Sequence, residues 1–71
     1  MIQQDFNIQI NGQPFYCTKH MTMLDLLSYL GIDLTSNIIE YNSDILEQNK
    51  LKSVLLQEND VIEIITLVGG G

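Results

Sequence analysis

Three consecutive glycines, Gly69, Gly70 and Gly71, are the last residues of this 71-residue sequence, and they directly follow its most apolar segment. Glycine has no side chain to pack and loses more conformational freedom on ordering than any other residue, so we expect a flexible tail. The terminal carboxyl of a peptide has a pKa of about 3.3–3.7, so the Gly71 carboxylate is ionised near neutral pH and must be activated before acyl transfer. Its reaction with the α-phosphate of ATP gives an acyl-adenylate, which a sulfur or amine nucleophile attacks. The tail is therefore the first candidate site.

The remaining reactive side chains do not form a catalytic constellation. Cys17 is turned inward by the predicted hairpin register, and His20 has no cysteine, histidine or carboxylate at metal-ligand spacing. The carboxylates are not paired for acid–base catalysis, so we expect a solvated face or a surface for a basic partner. They include Asp44, Glu47, Glu58, Asp60 and Glu63. The sequence thus predicts no catalytic residue, no metal site and no cofactor bound by the chain itself.

The charge balance restricts the class of partner. Nine acidic residues against three basic ones give a net charge of −6, which disfavours nucleic acid and favours a basic protein surface. No apolar stretch approaches the roughly 20 residues of a membrane span, and the N-terminus lacks the features of a signal peptide. We expect a protein of the cytoplasm, or of the plastid stroma if a plastid genome encodes it, with no membrane partner.

The apolar run at residues 61–68 predicts the central strand of the sheet. It is rich in β-branched residues, and its nearly continuous hydrophobicity is typical of a strand buried on most of both faces. We expect one domain at residues 1–68 and a separate tail at residues 69–71.

A hairpin is predicted near the N-terminus. Phe6, Ile8 and Ile10 alternate with polar residues, which is typical of a half-buried strand. The Asn11-Gly12 pair favours a two-residue type I′ turn, and that turn sets Phe6 opposite Cys17. The apolar side of this hairpin should therefore face the core.

A helix follows, and both of its ends are visible in the sequence. Thr22 is the predicted N-cap, Asp25 completes a capping box, and Gly31 is the predicted left-handed terminator. Short strands are predicted at residues 38–42 and at Ile45-Leu46, followed by an irregular loop with one helical turn at residues 47–56 and a polar turn at residues 57–60. This order predicts an α+β fold, a ubiquitin-like β-grasp roll in which one main helix crosses a mixed sheet of four to five strands.

The tail and the chain as a whole resemble the ThiS family, the sulfur carriers of thiamine thiazole synthesis. Val68-Gly69-Gly70-Gly71, preceded by the turn and strand at residues 59–65, is similar to the C-terminal signature of that family. Further matches are Asn11-Gly12 in the hairpin, Thr22, Leu26-Leu27 and Leu30-Gly31 in the helix, and Glu40-Tyr41-Asn42 in the third strand. The resemblance therefore covers nearly the whole chain.

The resemblance implies a carrier cycle without an active site in the chain itself. A ThiF-like adenylyltransferase would use ATP and Mg to adenylate Gly71, and a sulfur donor protein with a persulfide would supply sulfur for a C-terminal thiocarboxylate. That thiocarboxylate would donate its sulfur to a ThiG-like thiazole synthase. Gly69 and Gly70 would thread through the partner, and Leu67 and Val68 would pack the tail root against it.

Two other interpretations remain open. The small subunit of molybdopterin synthase is also a sulfur carrier that ends in Gly-Gly, although the short length and triple glycine favour the thiamine pathway. Alternatively, the chain is a non-covalent ubiquitin-like binding module that uses an acidic sheet face and has an inert tail. Asp60 and Glu63, with Leu67 and Val68, are the predicted partner-binding residues of the carrier.

Overall fold

The computed structural model describes residues 5–17 and 20–68. The described part of the chain forms one five-stranded mixed sheet, with strand order β2-β1-β5-β3-β4, and a helix α1. The elements are β1 (Phe6–Ile10), β2 (Gln13–Cys17), α1 (Met23–Leu30), β3 (Asn37–Tyr41), β4 (Asp44–Leu46), a 3-10 helix (Gln48–Ser53) and β5 (Val61–Thr66). β5 lies at the centre, parallel to β1 and antiparallel to β3. The predicted α+β roll and the central position of the last strand are confirmed.

The hairpin of β1 and β2 forms as predicted. Asn11 and Gly12 have φ values of 51° and 78°, the positive values that a type I′ turn requires at both central positions. The register pairs Phe6 with Cys17 and Ile8 with Phe15. β2 is an edge strand, which explains why Pro14 is tolerated there without a backbone donor.

Helix α1 begins and ends at the predicted residues. The Thr22 hydroxyl accepts from the Asp25 backbone N–H at 3.1 Å, and the Asp25 carboxylate accepts from the Thr22 backbone N–H at 3.0 Å. Gly31 has φ 73° and terminates the helix in the left-handed region. The apolar side of α1 packs on one face of the sheet, and the core of fully buried residues includes Ile8, Met23, Leu26, Leu27, Leu51, Leu56 and Ile62.

The prediction that the last strand is buried on most of both faces is wrong. Ile62 is 0% exposed and Ile64 packs against the core, whereas Val61 and Ile65 on the opposite face are 39% and 42% exposed. The described residues supply one α-helix, and it covers one face of the sheet. Strand β5 is therefore central within the sheet but solvent-accessible on its second face.

Two segments are more regular than the sequence indicates. The helical turn expected in the irregular stretch is a 3-10 helix of six residues, Gln48–Ser53, and it buries Leu51 in the core. Strands β3 and β4 form a second two-residue turn in which Asn42 and Ser43 have positive φ values of 51° and 79°. Among the described residues, no helix is long and apolar enough to cross a membrane.

Candidate functional site at the end of the central strand

The tail root is the point where the chain leaves the sheet. Thr66, the last residue of β5, lies opposite Asn37, the first residue of β3. The next residue, Leu67, still donates its backbone N–H to the Ser36 carbonyl at 2.8 Å, whereas Val68 is 94% exposed. The predicted sulfur-carrying residue Gly71 and the predicted threading residues Gly69 and Gly70 lie outside the described residues. The structure therefore defines the base from which that tail extends.

Leu67 and Val68 are exposed as an interaction surface requires. Leu67 is 49% exposed and also lines an open groove of about 300 Å³ together with residues of the neighbouring strands and the 3-10 helix. Packing an exposed leucine and valine at the end of this central strand against a second protein would be favourable, because it removes apolar surface from water. Their predicted role as partner contacts is untested by the geometry alone.

The sheet face opposite α1 continues from the tail root as a surface of mixed character. Glu63 lies directly opposite Glu40 on the neighbouring strand, and both carboxylates are half-buried. Like charges directly opposite each other in a sheet are destabilising. Apolar side chains flank this pair on the same face, namely Ile38, Ile45, Val61 and Ile65. This open face combines exposed apolar area with negative charge, which complements a protein surface that carries a basic side chain among apolar ones.

Asp60 does not belong to that face, and the expectation that it is solvated is wrong. It is 7% exposed and accepts hydrogen bonds from the Tyr41 hydroxyl at 2.8 Å and the Gln57 backbone N–H at 2.8 Å. The Asn42 side chain also donates to it at 3.2 Å. Burial, followed by the hydrogen bond to Asp60 and its charge, raises the pKa of Tyr41 to about 12. Asp60 thus joins the polar turn to β3, which gives it a structural role; its predicted contact with a partner remains untested.

The tail root is held by side-chain contacts that the sequence pattern did not predict. The Asn11 side chain accepts from the Ile64 N–H at 2.7 Å and donates to the Ile64 carbonyl at 3.3 Å, so it continues the pairing of β5 beyond the end of β1. On the other side, the Thr66 hydroxyl donates to the Asn37 side-chain oxygen at 2.8 Å. The sequence predicts the role of the Asn11 backbone in the turn, but the contact of its side chain with Ile64 depends on a residue 53 positions away.

The Ser36 carbonyl that accepts from Leu67 belongs to a loop at residues 33–36, and the Asp33 carboxylate accepts several hydrogen bonds within that loop. One oxygen of its carboxylate accepts from the Thr35 backbone N–H at 2.9 Å and the Thr35 hydroxyl at 2.7 Å, and the other accepts from the Ser36 hydroxyl at 2.8 Å. The hydrogen bonds from Thr35 and Ser36 lower the pKa of Asp33, because they favour the ionised carboxylate that accepts them. The Asp-x-Thr-Ser pattern is a local turn signal that sequence reasoning could have used.

The remaining reactive side chains give no second centre in the described part of the chain. Cys17 is buried, and burial raises the pKa of its thiol, which disfavours the nucleophilic thiolate. His20 lies beside an open groove of about 630 Å³ between β2 and α1. No group of three or more metal-ligating side chains occurs among residues 5–17 and 20–68. The end of β5 is therefore the strongest candidate site.

Comparisons with known proteins agree on one family. The ThiS family model matches residues 8–71. The chain is 41% identical to the uncharacterized protein ycf40 of Porphyra purpurea, over 100% of both chains. It is also 35% identical to the sulfur carrier protein ThiS of Bacillus subtilis, over 90% of this chain and 98% of that protein.

A thiazole synthase and a solved structure give further matches. The chain is 33% identical to part of the thiazole synthase of Magnetococcus marinus, and this match covers 90% of the chain but 20% of the synthase. The crystal structure of the thiamine biosynthesis protein ThiS from Geobacter metallireducens has a TM-score of 0.80 and 25% identity, and covers 93% of this chain and 100% of that chain. Its fold is therefore the fold observed here. Because the family model spans almost the entire sequence and the fold agrees, the chain belongs to the ThiS family.

Proposed function

We propose that the protein is a sulfur carrier of thiamine biosynthesis, in which the carboxyl group of Gly71 carries the sulfur. The observation that supports this most is the family match at residues 8–71, which includes the glycine tail. The tail root complements it, because β5 is fixed at the centre of the sheet and delivers the chain to an exposed Val68. The protein would act as a recycled co-substrate of other enzymes and would catalyse no reaction alone.

The carrier cycle proceeds through an activated acyl group. The Gly71 carboxylate attacks the α-phosphorus of ATP, which is bound with Mg by the partner, and pyrophosphate leaves. A persulfide of the sulfur donor protein then attacks the acyl carbon and releases AMP. A thiol cleaves the resulting acyl disulfide, which leaves a thiocarboxylate on the carrier and a disulfide on the donor side. The glycine tail suits the first step because it fits a narrow channel and adopts backbone angles closed to other residues.

Two partner enzymes follow from this chemistry. A ThiF-like adenylyltransferase activates the tail, and a ThiG-like thiazole synthase accepts the sulfur. The second partner is supported by the thiazole synthase of Magnetococcus marinus, part of which is similar to 90% of this chain. A carrier-like region in the same chain as the synthase would keep the thiocarboxylate at a high local concentration near the synthase active site. When the carrier and the synthase are separate chains, the carrier needs a docking surface that binds the synthase.

The open face and the tail root are the proposed docking surface. Leu67 and Val68 supply exposed apolar contacts beside the tail, and Glu63 lies opposite Glu40 on the face that continues from them. The net charge of −6 favours partners with a basic patch. Contacts of this kind offset the cost of ordering the three glycines, which is on the order of 3–6 kcal/mol.

The relatives support a plastid location for the carrier. The likeness to the ycf40 protein of Porphyra purpurea supports an organelle-encoded carrier that works in the plastid stroma. The cytoplasm is the alternative location for the same chemistry.

Reconstitution with the cognate adenylyltransferase tests the proposal. The intact protein should support exchange of pyrophosphate into ATP, and deletion of Gly70 and Gly71 should abolish the exchange without changing the free energy of unfolding by more than about 0.5 kcal/mol. An Asn49→Ala variant, changed at an exposed position of the 3-10 helix, should retain full exchange. Exchange that survives the deletion would contradict the proposal.

The second candidate function is a non-covalent ubiquitin-like binding module, and the exposed apolar residues of the open face favour it. Such a module would keep its partner affinity after deletion of Gly70 and Gly71. A carrier loses transfer completely in the same experiment, although part of its partner affinity remains. The small subunit of molybdopterin synthase is the remaining alternative, and formation of thiazole rather than molybdopterin by reconstituted partners distinguishes the two.

A further inference from the structure

We infer that the loop at residues 33–37, here called the anchor loop, positions the tail for transfer by fixing the residue at which the chain leaves the sheet. This inference rests on the proposed function, because it concerns the same tail. Its basis is a set of hydrogen bonds that converge on Thr66 and Leu67 from one side. Asn37 and Thr66 act as positioning residues, since they control where the reactive end of the chain can reach.

The anchor loop contacts the departing chain at two consecutive residues. The Ser36 carbonyl accepts from the Leu67 backbone N–H at 2.8 Å. The Asn37 side-chain oxygen accepts from the Thr66 hydroxyl at 2.8 Å. The side chain of Thr66 and the backbone of Leu67 are therefore both held just before Val68, which is 94% exposed. Among the described residues, these are the hydrogen bonds nearest to the chain end.

Hydrogen bonds within the anchor loop connect its residues to one another. Asp33 accepts from Thr35 and Ser36 through both carboxylate oxygens. The Asn37 side-chain nitrogen donates to the Asp33 carbonyl at 2.7 Å, so the same amide that holds Thr66 is itself held in place. Gln48, at the start of the 3-10 helix, donates to the Leu34 carbonyl at 2.7 Å and connects the loop to the body of the domain.

These bonds are exposed and contribute little to overall stability, which argues for a different purpose. The hydrogen bonds of Asp33, Thr35, Asn37 and Thr66 lie at the surface, where water competes for the same groups. A strand end that served stability alone could fray without large cost. Fraying here would lengthen the free segment that a partner must order.

The length of the free segment sets both its reach and its entropy. Four residues, Val68 to Gly71, follow Leu67 in the sequence, and they span at most about 14 Å when extended. If Leu67 and Thr66 were released, the chain end would explore a larger volume, and the partner would have to order additional residues. Fixing one more residue weakens binding by about tenfold. The anchor loop therefore keeps the chain end concentrated in front of the docking surface.

Two variants of unequal severity test the inference. Thr66→Val removes the hydroxyl and keeps a β-branched side chain suited to a strand, so it should fold normally. Asn37→Ala removes the bonds to both Thr66 and Asp33. The matched control is Asn49→Ala, which makes the same change at an exposed residue of the 3-10 helix. Equilibrium unfolding establishes that all three variants fold.

The readouts are amide hydrogen exchange at Leu67 and steady-state adenylation by the cognate adenylyltransferase. We expect faster exchange at Leu67 in both variants. In adenylation, the KM for the carrier should rise by about tenfold for Asn37→Ala and by about threefold for Thr66→Val, with kcat changed by less than about twofold. We expect KM to change and kcat to stay nearly constant because the anchor loop acts on the free tail. Once the tail is bound, the enzyme itself orients it. The Asn49→Ala variant should match the wild type in both readouts.

The outcomes separate the inference from the proposed function. If the wild-type protein is adenylated and the two variants have the KM of the wild type, the inference is wrong and the proposed function stands. If kcat falls with KM unchanged, the anchor loop does not act on the free tail and the inference is also wrong. If an enzyme that is active on its own carrier does not adenylate the wild-type protein, both are overturned.

Discussion

Strand β5 is held by a buried carboxylate just before its first residue and by an exposed amide and hydroxyl at its last residue. Asp60 is 7% exposed and accepts from three donors, whereas the Asn37–Thr66 hydrogen bond lies at the surface. A buried group that loses its partners suffers the full cost of desolvation, but an exposed one turns to water. The same kind of contact therefore serves stability at one end of β5 and, by our inference, positions the reactive tail at the other.

The largest expected effect is at the buried end. Asp60→Ala leaves the Tyr41 hydroxyl and the Gln57 N–H without their acceptor, and we expect the free energy of unfolding to fall by about 2–4 kcal/mol. The matched control Glu58→Ala, at an exposed position in the same turn, should change it by less than about 0.5 kcal/mol. Urea unfolding monitored by circular dichroism measures both. Equal effects of the two variants would remove the difference between the buried and exposed ends.

Tyr41→Phe sharpens the comparison through pH. Loss of one hydrogen bond to the Asp60 carboxylate should lower the free energy of unfolding by about 1.5 kcal/mol at neutral pH. Because the pKa of Tyr41 is raised to about 12 in the folded protein, its contribution is complete below the unfolded pKa of about 10 and is lost as pH rises through 12. The wild type should therefore lose stability more steeply over this interval than Tyr41→Phe. Unfolding curves at a series of alkaline pH values measure this difference, with Tyr29→Phe as the control. If the wild type and Tyr41→Phe lose stability in parallel as pH rises, the prediction is wrong.

A charge reversal on the open face should raise the stability of the protein and lower its affinity for the partner. Glu63→Lys replaces a like-charged pair with an opposite-charged one across from Glu40, so the free energy of unfolding should rise by about 0.2–1 kcal/mol. Affinity for the adenylyltransferase should fall by about tenfold, because the charge that attracts a basic partner is reversed. Glu58→Lys makes the same change of net charge in the exposed turn and should leave affinity nearly unchanged. Binding measured by titration calorimetry decides whether Glu63 contacts the partner.

The smallest effect on stability is expected at the tail root. Thr66→Val removes an exposed hydrogen bond, and we expect the free energy of unfolding to change by no more than about 0.5 kcal/mol. The same variant should nevertheless raise the KM for adenylation. A loss of stability as large as that of Asp60→Ala would mean that the two ends of β5 do not differ in purpose.

The elements whose signals are local could be predicted from the sequence. Asn11-Gly12 specified the turn and the register of the hairpin, because few residue pairs accept positive φ at both positions. Thr22, Asp25 and Gly31 specified the ends of α1 through hydrogen bonds that span a few residues. The central position of β5 was predicted from a different signal, the apolar run at residues 61–68, and the order of the elements predicted the roll.

The features that depend on distant residues could not be predicted. Periodicity shows that the last strand is apolar, but not that one helix covers only one face of the sheet. The sequence predicts Asp60 in a solvated turn. Its burial could not be predicted because its partners Tyr41 and Asn42 lie 19 and 18 residues away in the sequence. The contact of Asn37 with Thr66 spans 29 residues, so the sequence offers a local signal only for the turn around Asp33.

The central claim is that Gly71 carries sulfur as a thiocarboxylate, and intact mass spectrometry tests it most directly. The protein is incubated with its adenylyltransferase, Mg-ATP, a persulfide donor and a thiol. We predict a gain of roughly 16 Da, the replacement of one oxygen by sulfur, located in the C-terminal peptide. An unchanged mass, with an adenylyltransferase that loads its own carrier under the same conditions, would contradict the claim.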